Sequence, residues 1–219
     1  MNTLDYIINK YNIKEKDKMT FPIEIPNIGR NDLAKLFAEL GFTVGAEIGT
    51  EQGEYAKVLC KANRKMKLYC VDPWIVYDDY TDYRKEIMVR NYQRTKEILP
   101  SFNCVIIEKY SMDAVKDFAD NSLDFVYIDA NHNFQNVTND IHEWLKKIKV
   151  GGIISGHDYF TKKCPIVNGR RTNRSHHVKE VIDGYTRAYD IRPWFVLGRK
   201  DPNPGEIRDR WRSWFWVKE

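Results

Sequence analysis

Polar side chains with ligand or catalytic chemistry lie at or just after the ends of five successive apolar runs of the sequence. They are Glu47, Asp72, Ser111, Asp129 with His132, and His157 with Asp158. In an open α/β sheet, the carboxyl ends of the strands form the ligand crevice. If the apolar runs are strands of one such sheet, these side chains converge on a single place. One polar residue at a strand end means little, whereas a series of them indicates a binding or catalytic site.

The turn from Glu47 to Gly53 combines glycines with acidic residues. Gly49 and Gly53 let the backbone turn tightly and approach a ligand, and the helix that follows offers unpaired N–H groups. Those groups would suit a phosphate, but Glu47 and Glu51 are anionic and the glycine spacing is not that of a dinucleotide-binding turn. The acidic residues favour a ligand with a positive or hydroxyl-rich face. An ordinary strand-to-helix turn is the alternative.

Further residues have the chemistry of ribose binding, metal binding and proton transfer. Asp72 follows Glu47 by about the interval at which nucleoside-binding folds place a carboxylate on the ribose, although an Asp-Pro turn is the alternative. Asp129 and Asp158 offer hard oxygen ligands of the kind that Mg²⁺ takes. His132 suits the removal of a proton from a hydroxyl, because imidazole titrates near neutrality. A surface residue at a helix start is the other interpretation of His132.

The elements that must position these residues alternate between short apolar runs and helical patterns, which predicts a parallel sheet covered by helices. Strands are predicted at 43–48, 66–71, 104–107, 123–128, 153–155, 194–198 and 211–217. Helices are predicted at 31–40, 54–63, 81–99, 111–118, 137–148 and 178–189. We expect a Rossmann-like, doubly wound α/β fold. Its mostly parallel seven-stranded sheet carries helices on both faces, and the last two strands form an antiparallel hairpin at the sheet edge.

The chain reads as a single domain over residues 1–219, with a loosely attached N-terminal helical arm at 1–30 and a turn at 150–152. Residues 160–177 form a long basic loop. A loop of this length is often functional, so it could be a lid over an acceptor, a grip for a phosphate or a plain solvated loop. The aromatic strand at 211–217 offers a homodimer contact at the expected sheet edge.

Composition excludes several classes of protein. The net charge of +4 is modest for 219 residues and argues against nucleic acid as a partner. No apolar run approaches the roughly 18 residues that a membrane helix needs, and the N-terminus lacks a signal-peptide core. The four cysteines show no CxxC spacing, which favours buried thiols in a reducing compartment. We therefore expect a cytoplasmic protein that does not bind membranes.

Four segments together resemble class I S-adenosylmethionine (AdoMet) dependent methyltransferases. They are the turn E-I-G-T-E-Q-G, the strand end Asp72-Pro73-Trp74, the run from Leu123 to His132 and the run from Gly151 to Tyr159. Their order and spacing are similar to the branch of sugar O-methyltransferases of the macrocin/mycinamicin type, and more distantly to catechol O-methyltransferase. The resemblance covers about residues 40–160. It is specific for the fold and the cofactor, and weak on the acceptor.

The resemblance implies a role for each residue at a strand end. Glu47 and Gly49 hold the methionine portion of AdoMet, Asp72 the ribose hydroxyls, and Ser111 with Met112 the adenine. The cofactor site is completed by Thr50, Gly53 and Asp129. Asp129 and Asp158 are metal ligands for Mg²⁺ or Mn²⁺, joined by His157 where this branch often carries an acidic residue. His132 matches the position of the general base, so the catalytic set is His132, Asp129 and Asp158.

The leading hypothesis is a metal-assisted O-methyltransferase of a small hydroxylated acceptor, and the resemblance favours a sugar or glycoconjugate. Trp74, Tyr77, Tyr80 and Tyr83 offer aromatic faces for a sugar ring, or ordinary core packing. Three alternatives stay open: a nucleic-acid methyltransferase, a non-catalytic AdoMet-binding module, and a metal-dependent hydroxylase or other enzyme on the same scaffold.

Overall fold

The computed structural model describes residues 1–14, 20–76, 85–161, 166–167, 170–171 and 176–219. The helices are α1 (Thr3–Lys10), α2 (Arg30–Glu39), α3 (Glu54–Ala62), α4 (Lys85–Ile98), α5 (Ser111–Ala114), α6 (Phe134–Lys147) and α7 (Val178–Ala188). The strands are β1 (Ile23–Ile25), β2 (Val44–Ile48), β3 (Lys67–Val71), β4 (Cys104–Ile107), β5 (Leu123–Ile128), β6 (Ile148–Gly156), β7 (Ile166–Val167), β8 (Arg170–Arg171), β9 (Phe195–Leu197) and β10 (Trp214–Val217).

Eight strands form one sheet in the order β1-β9-β10-β6-β5-β2-β3-β4. Only β10 runs antiparallel to its neighbours, and every other pair in this sheet is parallel. The predicted doubly wound, mostly parallel α/β fold with an antiparallel C-terminal hairpin is confirmed. Because the strands from β2 to β6 run parallel to one another and helical segments connect them, their carboxyl ends lie at the same edge of the sheet.

The two faces of the sheet bury separate apolar cores, because successive side chains of a strand point to opposite faces. On β5, Val126 and Ile128 pack with α6 and α7, while Phe125 and Tyr127 pack with α2 and α3. Trp144 of α6 is fully buried on the first face. Helices therefore cover both faces, as the run of apolar residues at 123–128 predicts for a central strand.

The N-terminal arm is anchored rather than loosely attached. Ile7 of α1 is fully buried in the core beside α2, and Thr3 donates a hydrogen bond to the carbonyl of Gly151 (2.6 Å). The three-residue strand β1 pairs in parallel with β9 and adds the eighth strand. The expectation of a purely helical arm missed β1 because three residues are too few to show an alternating pattern.

The C-terminal hairpin lies inside the sheet and not at its edge. β10 is paired on both sides, with β6 and β9, and β1 covers the other side of β9. Trp214, Phe215 and Trp216 are buried, so this aromatic strand is part of the core and not an exposed edge, whereas the homodimer itself stays a prediction.

Among the element boundaries that differ from the sequence-based expectation, two have a clear local cause. α6 begins at Phe134 because Asn133 caps it, accepting a hydrogen bond from the Asn136 N–H (2.9 Å). The turn expected at 150–152 lies within the long strand β6, whose pairing with β5 shifts register between Leu123 and Phe125. Gly151 has a φ of +80° there, so its glycine backbone bends the strand without ending it.

Part of the predicted lid, residues 160–177, lies outside the described residues, namely 162–165, 168–169 and 172–175. Within the remainder, β7 and β8 pair as a short antiparallel hairpin. None of the helices in the described ranges has the length and apolar character needed to cross a membrane.

Candidate functional site

A cavity of about 280 Å³ opens at the carboxyl ends of β2, β3 and β5. The predicted site residues on its walls are Glu47, Gly49, Thr50, Asp72, Ser111, Asp129 and His132. Gly53 and Met112 lie off these walls. Gly53 precedes α3 and lies close to Leu99, and Met112 packs against the apolar core. The structure thus brings most of the predicted residues together around one concave space.

The turn after β2 is shaped by Gly49, which has a φ of +90°. A Cβ at this position would lie 2.1 Å from the carbonyl oxygen of Asp129, so only glycine allows β2 and β5 to approach this closely. Glu47 is 2% exposed, and burial raises its pKa well above the usual range. Glu47 Oε2 and Thr50 Oγ1 are buried beside one another, and neither has a hydrogen-bond partner elsewhere among the described residues. Buried polar atoms are normally satisfied, so these two mark a place for a polar ligand group.

Asp72 ties the ends of β2 and β3 together. Its Oδ2 accepts the Glu51 N–H (2.9 Å) and its Oδ1 accepts the Trp74 N–H (2.7 Å). Burial raises the pKa of Asp72, against the effect of those two hydrogen bonds. Each carboxylate oxygen keeps a second lone pair, so the ribose role of Asp72 remains a prediction.

Trp74 is a structural residue and does not line the cavity. It is 6% exposed, stacks on Tyr92 with ring centroids 4.6 Å apart, and donates its indole N–H to the carbonyl of Glu51 (2.7 Å). The interpretation of Trp74 as an acceptor surface is therefore wrong. Tyr77, Tyr80 and Tyr83 lie outside the described residues.

The Ser111 hydroxyl is committed to packing between α5 and α6. It donates to Asp140 and accepts the indole N–H of Trp144 (2.8 Å). Asp140 is 3% exposed. The side chain of Ser111 therefore has no proton left for a ligand, although the residue itself lies on the cavity wall.

Burial raises the pKa of Asp140 to about 7, against about 3.9 in an unfolded chain. In the unfolded chain this carboxyl group loses its proton at a lower pH than in the folded protein. The contribution of the neutral carboxyl group to the free energy of unfolding is therefore fully present below about pH 4 and is lost as the pH rises through 7. Between pH 5 and pH 8 the Asp140→Asn variant should lose less free energy of unfolding than the wild type, by about 2–3 kcal/mol. Urea unfolding at the two pH values measures this. Exposed Asp201→Asn is the matched control, and an equal loss in wild type and Asp140→Asn would contradict the assignment.

Two aspartates and two histidines meet at the ends of β5 and β6, beside the cavity. His132 Nε2 lies 3.1 Å from Asp158 Oδ2 and 3.5 Å from Asp129 Oδ1. His157 Nδ1 lies 3.7 Å from Asp129 Oδ2 and 3.7 Å from Asp158 Oδ1. One ligand atom each from Asp129, His157 and Asp158 fall within 4.8 Å of one another, as a metal site requires. The predicted catalytic and metal residues thus form one cluster.

The backbone holds this cluster in place. The His157 N–H donates to the carbonyl of Ile128 (3.0 Å), and the Trp214 indole donates to the carbonyl of His157 (3.1 Å). Asp158 adopts a φ of +61°, which costs free energy for a residue other than glycine and is typical of functional positions. Burial and the neighbouring Asp129 raise the pKa of Asp158. The pKa of Asp129 is lowered, since His132, His157 and Arg30 outweigh its burial.

Sequence reasoning missed Arg30, and it gave His176 no role beyond its place in the basic loop at 160–177, one of whose interpretations was a lid over the acceptor. Arg30 begins α2, lines the cavity and lies 3.7 Å from Asp129 Oδ2. It provides a cation among the acidic residues Glu47, Asp72 and Asp129. His176 places its ring 4.9 Å from that of His132. Neither residue follows a predicted strand, so no local pattern could find them; both reach the site through long-range packing.

A family model described as a methyltransferase domain matches residues 46–159. This segment begins in β2 and ends just after Asp158, so it contains the glycine turn, Asp72 and the whole cluster of Asp129, His132, His157 and Asp158. Arg30 and His176 lie outside it.

Individual relatives are more distant. An uncharacterized protein of Acanthamoeba polyphaga mimivirus is 26% identical over 185 residues, which is 80% of this chain and 76% of that protein. A candidate caffeoyl-CoA O-methyltransferase from Staphylococcus aureus superposes with a TM-score of 0.61 at 15% identity, covering 99% of this chain and 90% of that one. The O-methyltransferase from Bacillus cereus in complex with S-adenosylhomocysteine (SAH) gives a TM-score of 0.53 at 16% identity, with the same coverage. At such identities the likeness shows a shared fold.

Proposed function

Because the chain belongs to the methyltransferase family whose model matches residues 46–159, and is an AdoMet-dependent methyltransferase, we propose that it methylates a hydroxyl of a small acceptor. The acceptor we favour is a sugar or glycoconjugate. A divalent ion, Mg²⁺ or Mn²⁺, assists the reaction at Asp129, His157 and Asp158. The observation that carries the proposal is the cluster of two aspartates and two histidines beside a cavity with unpaired buried polar atoms.

The cavity residues fit AdoMet. When bound, AdoMet supplies a methyl group on a sulfonium, ready for transfer to a nucleophile. The orphaned Glu47 Oε2 is an acceptor suited to an ammonium group, and Thr50 Oγ1 adds a hydroxyl. Arg30 offers a guanidinium to a carboxylate, a pairing that is strong when the two groups align. The methionine end of the cofactor therefore lies near Glu47, Thr50 and Arg30 in this proposal, and the ribose lies near Asp72.

His132 is the proposed general base. Asp158 and Asp129 lie within 3.1 and 3.5 Å of its Nε2, and such partners stabilise the imidazolium that forms when His132 takes a hydroxyl proton. Orientation of the hydroxyl is the larger contribution to the rate, and the proton acceptor adds about 10²–10⁴-fold.

Asp129, His157 and Asp158 fit a divalent ion. A metal at these ligands would lower the pKa of an acceptor hydroxyl and fix its position. Two carboxylates suit Mg²⁺, whereas the imidazole of His157 is a better ligand for Mn²⁺. The proposal therefore expects Mn²⁺ to support activity at least as well as Mg²⁺.

The preference for a hydroxylated acceptor has one support beyond the sequence resemblance. Asn131 lines the same cavity, and its buried Nδ2 has no hydrogen-bond partner in the described part of the chain. An amide donor next to His132 suits an acceptor with several hydroxyl oxygens.

We also propose that the enzyme acts in the cytoplasm, since Cys60, Cys70 and Cys104 are free thiols.

Isothermal titration of AdoMet and SAH into the full chain, with and without Mg²⁺ or Mn²⁺, tests the cofactor site. We expect micromolar binding that falls at least tenfold in Glu47→Gln and Asp72→Ala, and that stays unchanged in Glu97→Gln, a variant of an exposed helical residue. SAH formation is then followed with a panel of nucleotide sugars, glycosides, catechols and a short RNA. Turnover of a sugar supports the proposal, whereas turnover of RNA alone, or AdoMet binding without any turnover, would overturn it.

A further inference from the structure

His176 extends the cluster of aspartates and histidines next to His132. Its ring lies 4.9 Å from that of His132 and 4.3 Å from that of Phe160. One ligand atom each from His132, Asp158 and His176 fall within 4.8 Å of one another. This is a second group with metal-ligand spacing, and it shares only Asp158 with the group of Asp129, His157 and Asp158.

His177, the residue after His176, is hydrogen-bonded to the segment that contains His132. The His177 N–H donates to the carbonyl of His132 (2.8 Å), and the Phe134 N–H donates to His177 Nδ1 (3.1 Å). His177 also precedes the first turn of α7. These bonds fix the backbone beside His176 against the backbone that follows the His132 side chain, so the approach of His176 follows from a built contact between two segments.

Asp158 presents one oxygen to each group. Its Oδ2 lies 3.1 Å from His132 Nε2, and its Oδ1 lies 3.7 Å from His157 Nδ1. A carboxylate with its two oxygens facing different ligand sets is the arrangement by which two neighbouring ions share a ligand. The two groups can therefore hold separate ions.

We propose that His132, Asp158 and His176 form a second metal site, which takes a borderline transition-metal ion such as Zn²⁺. Two imidazoles and one carboxylate are the ligand set of several zinc enzymes, and they suit Zn²⁺ much better than the oxygen-seeking Mg²⁺. The consequence for activity rests on the proposed role of His132 as the base. An ion bound to its nitrogen occupies the lone pair that accepts the proton, so Zn²⁺ at this site inhibits methyl transfer.

The test uses Co²⁺ as a spectroscopic substitute for Zn²⁺ in the full chain kept in excess Mg²⁺. We expect a visible Co²⁺ absorption that Zn²⁺ displaces, and a loss of Co²⁺ affinity of at least tenfold in His176→Ala. His142→Ala, which changes an exposed histidine of α6, should bind Co²⁺ as the wild type does. Asp129→Asn should keep the part of the signal that depends on His176, because Asp129 belongs to the other group. Equal Co²⁺ affinity in wild type and His176→Ala would overturn the proposal.

His176→Cys guards against a variant that is merely misfolded. If position 176 is a ligand, its thiolate should add a sulfur-to-cobalt charge-transfer band in the near ultraviolet, a new signal that unfolding cannot supply. Absence of this band in a variant that melts as the wild type does would also overturn the proposal.

The binding experiments need neither AdoMet nor an acceptor, so the site and the proposed function can fail separately. A cobalt site that depends on His176, in a chain without methyl transfer, keeps the site and removes the function. With an active enzyme, micromolar Zn²⁺ should inhibit the wild type at least tenfold more strongly than His176→Ala. Equal inhibition of both proteins would count against the second site.

Discussion

The His132→Ala variant should form SAH about 10²–10⁴-fold more slowly than the wild type with the acceptor that the panel identifies, the loss typical of removing a positioned base. Its affinity for AdoMet should change less than threefold, because the unpaired polar atoms assigned to the cofactor belong to Glu47 and Thr50. Initial rates at saturating AdoMet, with titration calorimetry on the same preparations, measure both quantities.

The pH profile separates a base from a structural residue. A general base acts only in its unprotonated form, so the wild-type rate should fall at acidic pH, and this limb should be absent from the residual activity of His132→Ala. His142→Ala removes an exposed imidazole from α6 and should retain the full rate. A His132→Ala enzyme within threefold of the wild type, with an unchanged acidic limb, would remove His132 from the proton-transfer step.

The sequence was informative about the site because strand ends are local features. A polar residue at the end of an apolar run can be recognised in the sequence at Glu47, Asp72 and Asp129, and a parallel topology then gathers those ends at one edge of the sheet. For the same reason the cluster of Asp129, His132, His157 and Asp158 was predictable as a group before any distance was known.

Features that depend on contacts between residues far apart in the sequence could not be predicted from it. Nothing local to Ser111 shows that its hydroxyl would face Asp140 and Trp144 of another helix. The indole of Trp74 turns into the core because Tyr92 and the carbonyl of Glu51 receive it. Residues such as these satisfy polar groups across the fold, and only the three-dimensional packing assigns their partners.

The position of the C-terminal hairpin within the sheet could not be predicted from the sequence for the same reason. The aromatic pattern of β10 predicts a strand, but a strand with buried side chains can be central or can be an edge that a partner covers. The short strand β1, which pairs with β9, decides between these arrangements. Its three residues carry too little pattern to be predicted.

Gly49→Ala should be the most damaging small substitution in the cavity. The methyl group would be placed 2.1 Å from the Asp129 carbonyl oxygen, on a residue whose φ is +90°. Relief requires β2 and β5 to separate at the turn where Glu47, Thr50 and Asp129 line the proposed cofactor cavity. We expect a loss of about 2–4 kcal/mol in the free energy of unfolding and a loss of at least tenfold in AdoMet affinity. Chemical denaturation and titration calorimetry measure the two effects.

Gly184→Ala is the matched control, because the same atom is added where the structure leaves room for it. Gly184 lies within α7, and a Cβ there meets nothing within 4 Å. Alanine favours a helix by about 0.8–1.0 kcal/mol over glycine, so this variant should be more stable than the wild type and should bind AdoMet equally well. Loss of AdoMet affinity in Gly49→Ala with stability unchanged would show that the turn can deform and that glycine serves the ligand alone. If a destabilised Gly49→Ala protein instead keeps its affinity for AdoMet, the turn does not contribute to cofactor binding. That result would count against the placement of the methionine end at Glu47 and Thr50.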